Sequence, residues 1–134
     1  MAKGWTGLEH TKPSDNIFLT GDTFHGTLFS RMAGVIHHGG SGTTHTAARA
    51  GVPQFILPQI VDQYHWGNRI RQLSLGPRPV TPKKITLKKM MQVLEAFRKD
   101  TFKEKALQQA ESMKGEDGVK EVIRTVEKLW LVRG

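Results

Sequence analysis

Short apolar runs alternate with helical patterns over the first 80 residues of the chain. The apolar runs of strand length are residues 17–19, 34–37 and 54–57. The segments with apolar residues at helical spacing are residues 25–32, 43–50 and 63–73. Because strands separated by helices are joined by right-handed crossovers, the pattern predicts an α/β fold. We expect a parallel sheet of three or four strands with helices on both faces.

The pattern becomes entirely helical after residue 80. Thr86 is placed to cap the first of three predicted helices, the second covers residues 102–113, and the third follows Gly118. Two of these helices carry apolar stripes, formed by Leu87, Met90, Met91, Leu94 and Phe97 in the first and by Val119, Val122, Ile123, Val126 and Leu129 in the third. Because such stripes typically face a core, we expect residues 81–134 to pack back on residues 1–80 within a single domain.

Length, composition and charge limit the classes of protein to which this chain can belong. The 134 residues suit one domain, and the absence of cysteine excludes disulfides and thiolate metal sites. With no apolar run of transmembrane length and no signal peptide, we expect a soluble, cytoplasmic protein, and membrane association has no support in the sequence. The net charge of +8 raises nucleic acid as a partner. However, the basic residues are interspersed with acidic ones and no nucleic-acid motif is present, so we interpret the charge as a solvated surface that favours anionic ligands.

A glycine-rich turn, GGSGTT at residues 39–44, connects the second predicted strand to the following helix. Glycines allow a ligand to approach the backbone, and the unpaired amides at a helix start favour an anion. The hydroxyls of Ser41, Thr43 and Thr44 suit either helix capping or phosphate binding. The other interpretation is a tight turn that needs glycine for its conformation alone. The turn matches neither a Walker A loop nor the dinucleotide-binding fingerprint.

Two polar residues, Asp62 and Gln63, follow the third predicted strand. In open α/β sheets, ligands bind beyond the carboxyl ends of the strands, so we expect this pair at the same rim as the glycine-rich turn. A carboxylate accepts hydrogen bonds from vicinal hydroxyls, and an amide both donates and accepts. A site that binds phosphate, next to a site that binds the hydroxyls of a sugar, predicts a sugar nucleotide as the ligand.

Residues 35–68 contain the motifs HHGGSGTT, RAGVPQ and DQYHWGNRI in that order. They resemble the donor-binding segment of nucleotide-sugar-dependent glycosyltransferases with the GT-B fold, above all the bacterial antibiotic and macrolide enzymes and the sterol glucosyltransferases. GWTGLE, FHGTLFSRMAGVIHHGG and EDGV are also similar to that branch, so the resemblance covers nearly the whole chain. It implies a Rossmann-like, partial donor-binding domain over residues 1–134 that begins at a strand near residues 2–5 and lacks the first βα unit.

The resemblance also implies roles for individual residues. In the family the histidine that closes the strand before the glycine-rich turn contacts the donor diphosphate, and His37 matches that position. The implied diphosphate site comprises His37 with the neighbouring His38, Gly40, Ser41, Gly42 and Thr43. The implied sugar site comprises Asp62 and Gln63, and the implied nucleobase region comprises Thr23, Phe24 and His25. Because adjacent strand residues point to opposite faces, the two neighbouring histidines are not expected to serve equally. His45 stands where the plant branch has a glutamate that binds the ribose hydroxyls, which leaves the donor open between UDP- and dTDP-sugars.

The implied activity is transfer of a hexose, with inversion, from a nucleotide sugar to an acceptor hydroxyl, without a cofactor. In the family, the acceptor site and the catalytic base belong to the N-terminal domain. We therefore assign no catalytic residue and expect the isolated chain to be inactive without that domain or a partner chain. The alternative is a non-catalytic sugar-nucleotide-binding or interaction module that needs a partner chain. An uncovered sheet edge further predicts a homodimer.

A metal site is a third hypothesis. Its candidate ligands are His37, His38, His45, His65 and Asp62. Histidine clusters bind zinc, but no two histidines here have the HxxxH spacing that places both on one helix face. We therefore expect no metal.

Overall fold

The computed structural model describes residues 15–18, 20 and 23–132 of the chain. The helices are α1 (His25–Phe29), α2 (Ser41–Arg49), α3 (Val61–Gln72), α4 (Leu87–Arg98), α5 (Asp100–Ser112) and α6 (Gly118–Val132). The strands are β1 (Val35–His37) and β2 (Gln54–Ile56), and a 3₁₀ turn covers Pro82–Lys84. Strands and helices alternate before residue 80 and helices alone follow, which confirms the α/β prediction.

The sheet is a parallel pair in which Val35 lies opposite Gln54 and His37 lies opposite Ile56. The other edge of β2 is covered by backbone, because the Gln54 N–H donates to the carbonyl of Leu75 at 2.9 Å. Within the described residues the sheet has two strands, fewer than the three or four predicted.

The predicted strand at residues 17–19 is wrong for the two residues of it that the structure describes. Ile17 and Phe18 belong to no strand and are 48% and 79% exposed. An apolar triplet is also compatible with irregular backbone, because strand formation depends on pairing that the triplet itself does not specify. Leu19 and the strand expected near residues 2–5 lie outside the described residues.

Adjacent residues of β2 point to opposite faces of the sheet, and helices cover both faces. Phe55 packs with Val93 and Phe97 of α4. Ile56 packs on the other face with Ile70 of α3. A third buried cluster joins α1 and α2 and consists of Phe29, Ala47 and Val52. The predicted placement of helices on both faces is therefore confirmed.

Local chemistry explains where several helices begin and end. The Thr86 Oγ1 accepts the Lys89 N–H at 3.2 Å, which confirms the predicted cap of α4. α2 ends just before Gly51, whose φ of +69° lies in the left-handed region that favours glycine. α1 ends at Phe29, earlier than the predicted residue 32.

The apolar stripe of α6 does not face the core, so this prediction was wrong. Every residue of the stripe has at least half of its surface exposed: Val119, Val122, Ile123, Val126 and Leu129. In α4, Val93 and Phe97 are buried, whereas Leu87, Met91 and Leu94 are exposed. Spacing places apolar residues on one face of a helix, but burial also needs an element packed against that face, and the exposure of the stripe shows that α6 is not packed in this way. None of the helices in the described residues is long and apolar enough to cross a bilayer.

Candidate functional site

The glycine-rich turn joins β1 directly to the start of α2. Gly39 has a φ of +94°, and Gly40 is the N-cap residue of the helix. The first helical hydrogen bond runs from the Thr44 N–H to the Gly40 carbonyl at 3.0 Å, so the amides of residues 41–43 precede it. Gly40 has no side chain to cap these amides, which leaves them available to an external acceptor. A Cβ at Gly42 would meet no atom within 4 Å, so there is open space beside them.

Two hydrogen bonds hold the imidazole of His37. Its Nε2 lies 2.9 Å from Oε1 of Gln54, and the Gly39 N–H donates to its Nδ1 at 3.1 Å. Gln54 is fully buried, and its Nε2 donates to the carbonyl of Thr44 at 3.2 Å. Both ring nitrogens of His37 are therefore engaged within the protein.

Burial holds the pKa of His37 below its ordinary value, because desolvation disfavours the charged imidazolium. The hydrogen bond to Gln54 opposes this shift, and the nearby His38 and His25 add to it by charge repulsion. His37 is therefore a neutral imidazole at neutral pH.

A cleft of about 360 Å³ lies between α1, β1 and the start of α2. Its polar lining consists of Thr20, Thr23, His25, His37, His38 and Thr43. Its apolar side chains are Leu28, Phe29, Met32, Val35 and Ile36. The cleft thus brings two of the expected nucleobase residues together with three of the expected diphosphate residues. An apolar wall with a few convergent polar groups is typical of a small-molecule site.

Asp62 and Gln63 lie in the first turn of α3, outside this cleft. Gly39 allows that turn to approach closely, since a Cβ there would lie 3.2 Å from the Gln63 carbonyl oxygen. Asp62 is exposed, whereas Gln63 is buried and its Oε1 accepts the N–H groups of Gln59 and Ile60 at 2.8 and 3.3 Å. The side-chain oxygen of Gln63 is therefore already bonded, and its NH₂ group is the part available to a ligand.

The other expected site residues lie at the margins of the cleft. Phe24 is the N-cap residue of α1, is 79% exposed and does not line the cleft. The ring of His38 lies over Gly40, where a Cβ would be 2.7 Å from its Nε2. Ser41 is exposed at the first position of α2. Among the described residues, neither the Ser41 nor the Thr43 hydroxyl makes a hydrogen bond, so both are available.

The two remaining histidines of the metal hypothesis lie apart from the cleft. His45 has its Nδ1 2.8 Å from the Ser41 carbonyl oxygen, and the rings of His45 and His65 both contact Trp66 edge to face. Within residues 15–18, 20 and 23–132, no group of three or more His, Asp or Glu side chains is arranged to hold a metal ion. Of the candidate ligands, His37 and His38 thus line the cleft, His45 and His65 contact Trp66, and Asp62 lies in the first turn of α3 outside the cleft.

Gln54 is the residue of this site that the sequence pattern did not reveal. It lies inside the apolar run GVPQFILP, where it counts as one more position of a strand. The available signal was an amide within a run that is otherwise buried. A buried amide needs partners for both its oxygen and its nitrogen, so such a position indicates a specific hydrogen-bond arrangement.

The site combines unpaired amides, free hydroxyls and neutral imidazole with an apolar wall. Its described lining contains no carboxylate and no lysine or arginine. It therefore suits a ligand that has an anionic part at the helix start and a flat or apolar part against α1.

Comparisons with known proteins identify related chains. The family model described as "Erythromycin biosynthesis protein CIII-like, C-terminal domain" matches residues 9–129. A sterol 3-beta-glucosyltransferase of Arabidopsis thaliana is 35% identical over 119 residues, which are 87% of this chain and 19% of that protein. The vancomycin aglycone glucosyltransferase of Amycolatopsis orientalis is 46% identical over 76 residues, which are 57% of this chain and 19% of that protein. The chain thus spans about a fifth of the length of these curated relatives.

Solved structures share the fold. The spinosyn forosaminyltransferase SpnP superposes with a TM-score of 0.81 at 22% identity, over 90% of this chain and 33% of its own. The glycosyltransferase SnogD from Streptomyces nogalater superposes with a TM-score of 0.71 at 25% identity, over 99% of this chain and 35% of its own. The resemblance drawn from residues 35–68 is confirmed.

Proposed function

The chain belongs to the family of Erythromycin biosynthesis protein CIII-like C-terminal domains, and we propose that it is the nucleotide-sugar donor-binding part of an inverting glycosyltransferase. In the proposed reaction, an acceptor hydroxyl oxygen attacks the anomeric carbon of a hexose carried by UDP or dTDP. The bond from that carbon to the diphosphate oxygen breaks, and the nucleoside diphosphate leaves with the electron pair. The relatives that transfer glucose to a sterol or to the vancomycin aglycone support this class of reaction.

The observation that carries the proposal is the meeting of the cleft with the uncapped start of α2. Thr43 belongs to both, because it lines the cleft and supplies one of the three free amides. A diphosphate at this point accepts hydrogen bonds from the amides of residues 41–43 and from the Ser41 and Thr43 hydroxyls. Gly40 and Gly42 keep the approach open, and a Cβ at Gly42 would stand in that space.

The two strand-end histidines have different roles in the proposal. His38 is exposed at the cleft and donates to the diphosphate. His37 borders the diphosphate but is held by Gln54 and the Gly39 amide, so it contributes mainly by maintaining the turn. The proposal thus keeps the expectation that His37 and His38 contribute unequally to diphosphate binding.

The nucleobase lies against α1 in this proposal. Leu28, Met32 and Ile36 supply an apolar surface for a flat ring, and Thr23 and His25 supply polar groups at its edge. Phe24, which precedes α1, is exposed and stands outside the cleft, so its share would be to cover the ring after it has bound. A uracil and a thymine differ by one methyl group, so the choice between them is left to the titration described below.

Asp62 and Gln63 bind the sugar hydroxyls. Asp62 is exposed and accepts from two of them, while Gln63 donates through its NH₂ group because its oxygen caps α3. The closeness of Gln63 to Gly39 and the position of Asp62 next to it in the first turn of α3 support a sugar that extends away from the nucleotide cleft. The proposal uses no cofactor or metal, and the nucleotide sugar is the substrate.

The acceptor and the general base are assigned to an acceptor-binding domain, on the same polypeptide or on a partner chain. This assignment rests on the share of related chains that this sequence covers, which is 33% for the spinosyn forosaminyltransferase. A positioned base and an aligned acceptor are each required for fast displacement. The homodimer and the cytoplasmic location stay predictions.

Calorimetric titration of the chain with UDP, dTDP and their glucose conjugates tests donor binding. We expect Thr43→Val and His38→Ala to weaken the binding of the free diphosphates and of the glucose conjugates alike, by about 1–3 kcal/mol for charge-assisted hydrogen bonds. Asp62→Ala should weaken only the conjugates, because free diphosphates lack the sugar. His65→Ala is the matched control, since His65 contacts Trp66 away from the cleft.

Two results would contradict these roles. One is the absence of binding for all four ligands at millimolar concentration, and the other is an equal loss of both ligand types on Asp62→Ala. The chain alone should also fail to transfer labelled glucose to a sterol or to a glycopeptide aglycone. Robust transfer by the chain alone would mean that it contains its own base.

A further inference from the structure

Gln54 occupies an unusual position for a polar side chain. It lies at the first position of β2, is 0% exposed, and has only fully buried residues as its neighbours along the strand. A buried amide without partners is destabilising, because its polar atoms lose their hydrogen bonds to water and gain none. Gln54 avoids this penalty because its oxygen faces His37 and its nitrogen faces the Thr44 carbonyl.

The hydrogen bonds that connect Thr44, Gln54, His37 and Gly39 determine the orientation of each of these groups. The Thr44 carbonyl can only accept, so the amide nitrogen of Gln54 must face it and the amide oxygen must face His37. That oxygen accepts the proton on Nε2 of His37. The Nδ1 of His37 then has a free lone pair, which accepts the Gly39 N–H at 3.1 Å. The arrangement requires the neutral Nε2–H tautomer.

The second imidazole nitrogen connects this arrangement to the glycine-rich turn. Gly39 has a φ of +94°, and its amide is fixed by Nδ1 of His37. Protonation of Nδ1 would place two donors against each other and release this amide. The groups around the imidazole are Gln54 on β2, His38 on the turn and His25 on α1, and none of them is a carboxylate that would favour the charged form.

We propose that Gln54 is a positioning residue of the anion site: it selects the Nε2–H tautomer of His37 and thereby holds Gly39 so that the amides of residues 41–43 keep their binding geometry. The consequence for the diphosphate rests on the proposed function, whereas the tautomer and the amide position do not. Gln54 acts through His37 and touches no ligand.

The test measures the side-chain nitrogens of His37 by long-range ¹H–¹⁵N NMR in the ligand-free chain, together with UDP affinity. In the wild-type chain we expect the Nε2–H tautomer and resistance to protonation. Gln54→Met removes both amide contacts at similar size. It should give mixed tautomers, shift the Gly39 amide resonance and weaken UDP on the order of tenfold, about the value of one hydrogen bond. Gln72→Met on the exposed end of α3 is the matched control and should change none of these.

Gln54→Glu separates positioning from a general loss of packing. A protonated Glu carboxyl still donates to the Thr44 carbonyl through its O–H and accepts the Nε2 proton through its other oxygen, so the tautomer should persist in this variant. An Nδ1–H tautomer in the wild-type chain would overturn the proposal even if Gln54→Met does not fold. An unchanged tautomer and Gly39 resonance in Gln54→Met would also overturn it. If the tautomer changes as expected but no nucleotide binds to any form, the proposed function fails and the role of Gln54 stands.

Discussion

The sheet region and α6 are both rich in regularly spaced apolar residues, but they differ in how much of that surface is buried. Phe55 in β2 is 0% exposed because α4 covers it, whereas Trp130 in α6 is 80% exposed. The comparison teaches that an amphipathic pattern determines which residues share a face, and that a facing element determines whether this face becomes core.

Polar contacts connect the end of α2 to the segment that precedes α6. Arg49 at the end of α2 donates from Nη1 to the Met113 carbonyl at 3.1 Å and to the Glu116 carbonyl at 3.5 Å. Its ion pair with the Glu116 carboxylate spans 3.7 Å between half-exposed side chains, so it contributes little stability. These contacts fix the segment before α6 and leave the apolar stripe of α6 uncovered by described residues.

The largest expected difference between the two regions is in the free energy of unfolding when one aromatic side chain in each is replaced by alanine. Phe55→Ala should lower the free energy of unfolding by about 3–5 kcal/mol, because it leaves a cavity against Val93 and Phe97. Trp130→Ala should change it by less than about 0.5 kcal/mol, because Trp130 is already in solvent. Urea unfolding followed by circular dichroism measures both. Equal losses would mean that Trp130 on α6 is covered in solution.

An intermediate effect is expected when alanine replaces a glycine in each region. Gly39→Ala should destabilise the chain by about 1–3 kcal/mol, because the residue has a φ of +94° and its Cβ would lie 2.6 Å from Cγ2 of Ile56. Gly118→Ala at the start of α6 meets no atom within 4 Å and should be neutral or stabilising by up to about 1 kcal/mol. The same unfolding measurement applies. A neutral Gly39→Ala would show that the turn is not held as described.

The smallest expected effect is a pH dependence confined to the sheet region. The pKa of His37 lies below its ordinary value of 6.5, so the unfolded chain binds more protons than the folded chain between these two values. The contribution of neutral His37 to stability is therefore complete above pH 6.5, falls as the pH drops through 6.5, and levels off below the folded pKa. α6 contains no histidine, so its helicity should not follow this change.

The measurement compares the free energy of unfolding between about pH 5 and pH 8, the range in which histidine titrates. His37→Gln should flatten the dependence, and the control His65→Ala should retain it. A wild-type stability that rises as the pH falls over this range would reverse the sign and contradict a neutral, partly buried His37.

Most of the local elements and part of the site were predictable from short-range patterns. The Thr86 cap and the glycine-rich turn each depend on a few consecutive residues, whose backbone preferences act locally. The gathering of Thr23, His25 and Thr43 around one cleft was predicted only through resemblance, because no spacing rule connects α1 to α2. The hydrogen bond between His37 and Gln54 joins residues 17 positions apart, beyond the reach of any local pattern.

The sequence alone determined the order of strands and helices from residue 25 onward and the glycine-rich turn whose chemistry favours an anion, because these follow from backbone preferences and residue type at adjacent positions. Tertiary structure alone decided three further features: the pairing of His37 with Gln54, the use of the Gln63 oxygen as a helix cap and the exposure of the α6 stripe. Each of these depends on which atoms lie opposite one another in space. Hydrogen bonding and burial are properties of such pairs of surfaces, so a single segment of sequence does not specify them.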